Sequence, residues 1–476
     1  MRLRPLALAA AALAVLAAAP PAGSPLGIGD PLFPHLGNPG YDVTAYDLAF
    51  RYEGRNDRPL EAVTRIDARA TDTLRSVNLD FTQGTVHAVT VDGVKAGFTE
   101  AGEDLVIRPE HPVRAGARFR VTVRHTSEPL RNDGAGWVRT ADGLAMANQA
   151  DAAHRAFPCN DHPADKARFT FRVTAPRGYT VVANGLPAGE PVDGVWTYRS
   201  RHPMATELAQ ISIGRSAVLT GEGPHGLPLR HVVPAADGKA LRPVLTRTAE
   251  HLRWMEQRVG RYPFETYGVL AVDAGLGYAL ETQTLSLFDR SLLARAGAEA
   301  YAEGVMVHEL AHQWFGDSVT PRRWTDLWLN EGHATWYEAL YNDEQGVEPL
   351  AERMAVAYAH SDAWRAQGGP PADLRKPSAD GKLGIFRPNV YDGSALVLYA
   401  LRQEIGADAF QRLERAWVSR YADRTAGTAD FVALASETAG RDLTGFLEPW
   451  LYGERTPAMP GHPDWRPAVP ERGGRS

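Results

Sequence analysis

The stretch from Val305 to Glu338 constrains this chain more than any other. It carries His308-Glu309-Leu310-Ala311-His312 inside an apolar run, and Glu331 follows after eighteen intervening residues. On a helix, residues four apart share a face, so both imidazoles can reach one ion, while Glu309, one step round, faces a water bound beside them. Two neutral nitrogens and one carboxylate make a three-ligand tetrahedral site whose fourth position is left to water. That is the catalytic arrangement for zinc rather than the closed structural one. The competing reading keeps His308 and His312 as buried histidines among Val305, Met306, Val307, Leu310, Ala311, Trp314 and Phe315, but a core has no need of His, Glu and His in that order.

The remaining composition narrows the setting. A chain of 476 residues, 44% hydrophobic and 23% charged, can bury substantial cores and divides into two or three domains. A net charge of −6 offers no basic field for nucleic acid or anionic lipid. Only 5 of the 51 basic residues are lysine, the bias of a GC-rich bacterial genome. Residues 1–25 read as a signal peptide: Arg2 and Arg4 open it, Leu6 to Ala19 are uninterruptedly apolar, and small residues and Pro20-Pro21 follow. That run falls short of the roughly 20 residues a membrane anchor needs, and no later run reaches that length. Export as a free soluble protein is the expectation. Cys159 is the only cysteine, so no intrachain disulfide can form, and it reads as a packed thiol rather than a nucleophile.

Along the chain, the hydrophobic period divides the sequence. In residues 30–215 apolar positions alternate, as in Tyr46, Leu48, Phe50 and Tyr52 or Phe169, Phe171 and Val173, with turn signals such as Asp92-Gly93 and Asn184-Gly185 between the runs. An N-terminal antiparallel β-sandwich or saddle-shaped domain follows. From about Ala240 the spacing is helical, through Leu241, Leu245, Leu252, Met255 and Val259, with strand-like interruptions at Tyr267 to Val272 and Thr284 to Phe288. Residues 216–455 therefore make a mixed, mainly helical second domain, and 456–476, rich in Pro, Gly and Arg, a loosely ordered tail.

Five separated stretches resemble the gluzincin aminopeptidases, the group containing aminopeptidase N and leukotriene hydrolase. They are Phe157-Pro158-Cys159-Asn160-Asp161-His162-Pro163, Tyr278-Ala279-Leu280-Glu281-Thr282, the His308 motif, Trp328-Leu329-Asn330-Glu331-Gly332, and Val390-Tyr391-Asp392-Gly393-Ser394-Ala395-Leu396. The resemblance spans roughly Tyr41 to Pro457 and implies a β domain followed by a thermolysin-like catalytic domain, in a short secreted form without the large helical C-terminal domain of many relatives.

The resemblance also implies roles. Zinc, one per chain, sits on His308, His312 and Glu331; Glu309 is the general base, and Tyr391 the donor to the tetrahedral oxyanion. Glu281 anchors the free α-amino group of a peptide substrate, with Gln149 as its helper, so that only the first peptide bond meets the metal. Relatives usually have Gly-Ala-Met-Glu-Asn where this chain has Tyr278, Leu280 and Thr282 at the first, third and fifth places, which changes the pocket for the first side chain. Glu338, seven after Glu331, points the same way on a continuing helix and either orients a histidine ligand or stays solvated. Arg322 and Arg323 are surface arginines within possible reach of substrate. The function expected is a secreted zinc aminopeptidase. A thermolysin-like endopeptidase and a catalytically inactive zinc-containing peptide-binding module are the alternatives.

Overall fold

In the computed structural model, which describes residues 27–129, 134–294, 297, 299–376 and 384–468, the alternating stretches become long strands. Tyr41–Arg51 and Leu60–Ala70 bury every second side chain, so one face enters a core and the other meets solvent. They lie at the centre of an eight-stranded sheet in which Arg168–Thr174 and Arg118–Ser127 flank them. One pair departs from the antiparallel expectation: Tyr41–Arg51 runs parallel to Arg168–Thr174, with Phe50 opposite Val173. The long excursion between these strands, through two smaller sheets, is what permits a parallel return that no hairpin could make. Those sheets, of four and three strands, pack against the large one, with the Phe50 and Trp137 rings edge to face at 5.4 Å, while within the large sheet Tyr46 stacks on its cross-strand neighbour Phe169 at 4.8 Å.

The chain leaves the four-stranded sheet at Gly214 and enters a five-stranded one at Ser216. This five-stranded sheet is mixed: Pro228–Pro234, Val269–Val272 and Ser286–Asp289 pair in parallel, and Ala279–Leu280 lies antiparallel at its edge. Leu270, Leu280, Leu285 and Leu287 join the same buried cluster as Leu48 and Phe157, so the edge strand before Glu281 is seated on the β domain. Beyond it, helices Glu299–Ala311, Trp328–Glu344, Leu350–Gly368 and Asp392–Ile405 surround a second core that includes Trp314, Trp328, Trp336, Trp417 and Trp450. Burying each such ring contributes roughly 1.5–3 kcal/mol or more, enough to hold the helices carrying the motif in a fixed relation. Gly332 lets two of them meet closely, since a Cβ there would lie 2.6 Å from Cβ of Ser394.

Residues ahead of the first strand tie the two halves together. The Asp30 carboxylate accepts the Trp324 amide at 3.0 Å, the Leu32 amide at 2.8 Å and the Phe33 amide at 3.1 Å, and it faces His162 Nε2 at 3.1 Å. Leu32 then packs with Ala150, Trp324, Leu327 and Val390. This cluster is one residue removed from both Gln149 and Tyr391.

The stretch after 455 departs from the loosely ordered expectation over its described part. Thr456 donates its amide to Asp362 at 2.7 Å, Tyr358 donates to the Pro457 carbonyl at 3.0 Å, and Trp465 stacks on Tyr399 at 5.9 Å. Aromatic and backbone contacts to two helices outweigh the coil-like composition of this segment. The signal-peptide reading of residues 1–25 lies outside the described residues, as do 469–476. Among the described residues no helix is long and apolar enough to cross a membrane.

Candidate active site

The motif helix, Glu299–Ala311, ends where it delivers its second histidine: the His312 amide still bonds the His308 carbonyl at 3.3 Å. The chain then turns through Gly316, whose φ of +133° and closeness to Asn330 both require a residue without Cβ. Strand Val319–Pro321 and a short turn at Trp324–Asp326 lead into the helix Trp328–Glu344, which packs back across the motif helix. Its first turn brings Glu331 to the histidines, with Oε2 3.3 Å from His308 Nε2 and 3.4 Å from His312 Nε2. All three donor atoms lie within 4.8 Å of one another.

The other ring nitrogens are held from behind. His308 Nδ1 meets Glu338 at 3.1 Å, and His312 Nδ1 meets Asn330 Oδ1 in a short contact and the Phe315 carbonyl at 3.2 Å. With both Nδ1 atoms hydrogen-bonded, both Nε2 atoms are turned toward Glu331. Glu338 thus stands behind His308 on the side away from Glu331, and Arg353 supports it in turn at 2.9 Å.

The electrostatics fit a divalent cation. Burial opposes charge on His308, yet Glu331 and Glu338 raise its pKa to about 9. Burial would likewise lift Glu331, but His312 and His308 outweigh it and lower the carboxyl to about 2. Surroundings negative enough to protonate an imidazole favour a metal ion that displaces the proton. Two imidazoles and a carboxylate, each fixed from behind, suit zinc in donor type, number and closeness.

Glu309 points into the same space without joining the three donors. It is 5% exposed, its Oε2 has no hydrogen-bond partner among the described residues, and burial pushes its pKa up to about 8. Tyr391, half-buried at the head of helix Asp392–Ile405, places its ring centroid 6.0 Å from that of His308. Burial, and then Glu331, Glu281 and Glu309, raise its hydroxyl pKa well above the ordinary value, so it stays a proton donor.

Glu281 lies on the far side of His312, with Oε1 3.9 Å from Nδ1. It is 3% exposed and accepts from Gln149 Nε2 at 2.6 Å and Asn330 Nδ2 at 2.9 Å. Gln313 holds the Glu281 carbonyl at 3.0 Å and takes the Thr284 amide at 2.8 Å. The structure therefore gathers Gln149, Glu281, His308, Glu309, His312, Glu331 and Tyr391 around one place. Arg322 turns instead to Asp430 at 2.8 Å, and Cys159 is buried in the β domain, where burial and nearby carboxylates push its thiol well above its usual range. Asn330, Gln313 and Arg353 carry no role expected from the sequence; the signals for the first two are that Asn330 lies in the stretch Trp328 to Gly332 beside Glu331 and that Gln313 follows His312.

Comparison with known proteins matches this geometry. Residues 44–207 match the peptidase M1 N-terminal domain and residues 244–450 the peptidase family M1 domain. Aminopeptidase N of Streptomyces lividans is 29% identical over 405 residues, covering 78% of this chain and 46% of its own length. Aminopeptidase N of Oryctolagus cuniculus is 30% identical over 386 residues, covering 71% and 38%. The chain thus spans less than half the length of these curated relatives. A mutant M1 zinc metallopeptidase from Deinococcus radiodurans, solved with a Tyr-Ser-Ala substrate, superposes with a TM-score of 0.79 at 28% identity, over 92% of this chain and 100% of that one.

Proposed function

Because the chain belongs to peptidase family M1, among the aminopeptidase N-type gluzincins, we propose that it is a zinc aminopeptidase removing the first residue of peptides with a free amino terminus. The observation that carries this reading is Glu281: a buried carboxylate, held by two side-chain amides, beside a three-donor cluster. A buried carboxylate so placed pairs with a substrate ammonium, and its fixed distance from His312 admits the first peptide bond and no later one.

His308, His312 and Glu331 would hold the zinc. When bound, it supplies a Lewis acid that lowers the pKa of water to about 7 and polarises a carbonyl. Glu309 takes the proton from the attacking water, and its burial suits it to keep that proton until the leaving amine accepts it. Tyr391, protonated throughout, donates to the oxyanion that develops on the scissile carbonyl. Gln149 and Asn330 orient Glu281, which fixes the substrate's register. The basic start and apolar run of residues 2–19 support export to a place where free peptides are the substrates.

Metal analysis together with turnover of a chromogenic amino-acid amide tests the proposal. About one equivalent of zinc, activity lost to a chelator and regained on adding zinc are expected. Full turnover by metal-free protein contradicts it.

A further inference from the structure

We infer that Asn330 is a positioning residue that couples the metal centre to recognition of the substrate's amino terminus, a role that rests on the reading of Glu281 above. The Asn330 side chain is buried, at 4% exposure, and stands between His312 and Glu281. Its Nδ2 donates to Glu281 Oε1 at 2.9 Å, and its Oδ1 accepts from His312 Nδ1. Chemistry fixes this orientation. An ionised carboxylate only accepts, so the amide NH2 must face Glu281 and the amide oxygen must face the ring. His312 Nδ1 then carries the hydrogen, and Nε2 is left bare toward Glu331, 3.4 Å away.

One amide thus sets the tautomer of His312 and the position of Glu281. It also keeps the two apart. Glu281 Oε1 is only 3.9 Å from His312 Nδ1, and without the intervening amide the carboxylate would turn to the ring N–H and abandon the substrate. The fold is shaped for this arrangement: a Cβ on Gly316 would sit 2.2 Å from Asn330 Oδ1, so the glycine in the turn after the motif helix is what makes room for the amide. Both amides on Glu281, from Gln149 and Asn330, fall on Oε1, which assigns Oε2 to the incoming ammonium.

Aspartate at this position separates the two roles. Asn330→Asp still accepts from His312 Nδ1, the carboxylate–histidine arrangement that favours metal binding, but it sets a like charge against Glu281. Asn330→Ala removes both bonds and adds no charge, so it keeps the test open should the aspartate variant fail to fold.

The experiment measures two quantities in wild type, Asn330→Asp, Asn330→Ala and Glu281→Ala. One is the zinc dissociation constant by chelator competition. The other is the ratio of kcat/KM for a free peptide to that for its N-acetylated form. In Asn330→Asp, zinc affinity is expected within about threefold of wild type while the ratio falls at least about tenfold, a split that general loosening of the core does not produce. In Asn330→Ala both fall, zinc affinity by roughly tenfold or more. The inference is overturned if Asn330→Ala leaves either quantity within about threefold of wild type while Glu281→Ala lowers the ratio. If Glu281→Ala leaves the ratio unchanged, the anchoring role of Glu281 fails, and the inference fails with it.

Discussion

His308 and Glu338 are in contact: Nδ1 of the histidine lies 3.1 Å from Oε2 of the glutamate, whose other oxygen accepts Arg353 Nη1 at 2.9 Å. Arg353 also reaches Asp392 at 2.9 Å, next in sequence to Tyr391. The His308 imidazole is thereby tied, through one ion-pair chain, to the helix headed by Tyr391. Glu338→Gln should weaken zinc binding by roughly 10- to 100-fold, measured by competition with a chelator. Unchanged affinity would leave Glu338 as an internal ion-pair partner only.

On the proposed mechanism, Glu309→Gln removes the general base without removing a zinc donor. Zinc content should stay at the wild-type level while kcat falls by roughly a hundredfold or more. Metal analysis beside single-turnover rates separates the two, and loss of zinc with activity would assign Glu309 to the metal instead.

Tyr391→Phe deletes one hydroxyl and almost no volume. With the hydroxyl donating to the oxyanion, kcat should drop by roughly a hundred- to a thousandfold, about 2.7–4 kcal/mol, with KM little changed. A drop below about threefold would reduce Tyr391 to packing.

Asp30 gives the fold a pH dependence of known sign. Burial pushes its carboxyl up, but the His162 contact and the Trp324 and Phe33 amides outweigh burial and hold it below the ordinary carboxylate range. Its stabilising contribution is therefore complete above the unfolded pKa, roughly 3.9, and is lost as the pH falls through the lower folded value. Asp30→Ala should cost about 3 kcal/mol at neutral pH, and the loss should shrink in acid, as read from denaturant unfolding. Equal destabilisation at pH 7 and pH 3 would show that the carboxylate charge has no part in it.

What was legible in the sequence was local or periodic. His308 and His312 are four apart on one helix, and that spacing alone implies a shared face; Tyr46, Leu48 and Phe50 alternate because a half-buried strand must. Glu281 and Tyr391 needed family resemblance, because a lone glutamate or tyrosine has no local signature. Partner choice across long separations was hidden. Nothing near Asp30 announces a bond to Trp324, and nothing near Tyr41 announces a parallel neighbour at Arg168–Thr174. Residues 456–468 misled composition, since three aromatic contacts order a segment that its prolines and glycines suggest is loose. Asn330 was visible as part of the stretch around Glu331 but with no role attached, and its two bonds exist only once the helix Trp328–Glu344 lies against the turn at Gly316.

The central claim is that the site reads a free amino terminus. It is tested most directly by giving the zinc-loaded protein one peptide in two forms, free and N-acetylated. A free α-amino group is largely protonated near neutral pH, and only that charged form pairs with Glu281; acetylation removes the charge. The free peptide should be trimmed stepwise from its first residue, and the acetylated one cleaved at least about a hundredfold more slowly, a difference of about 2.7 kcal/mol. Equal rates for the two forms, or first cuts at internal bonds, would contradict an aminopeptidase and identify an endopeptidase on the same zinc site.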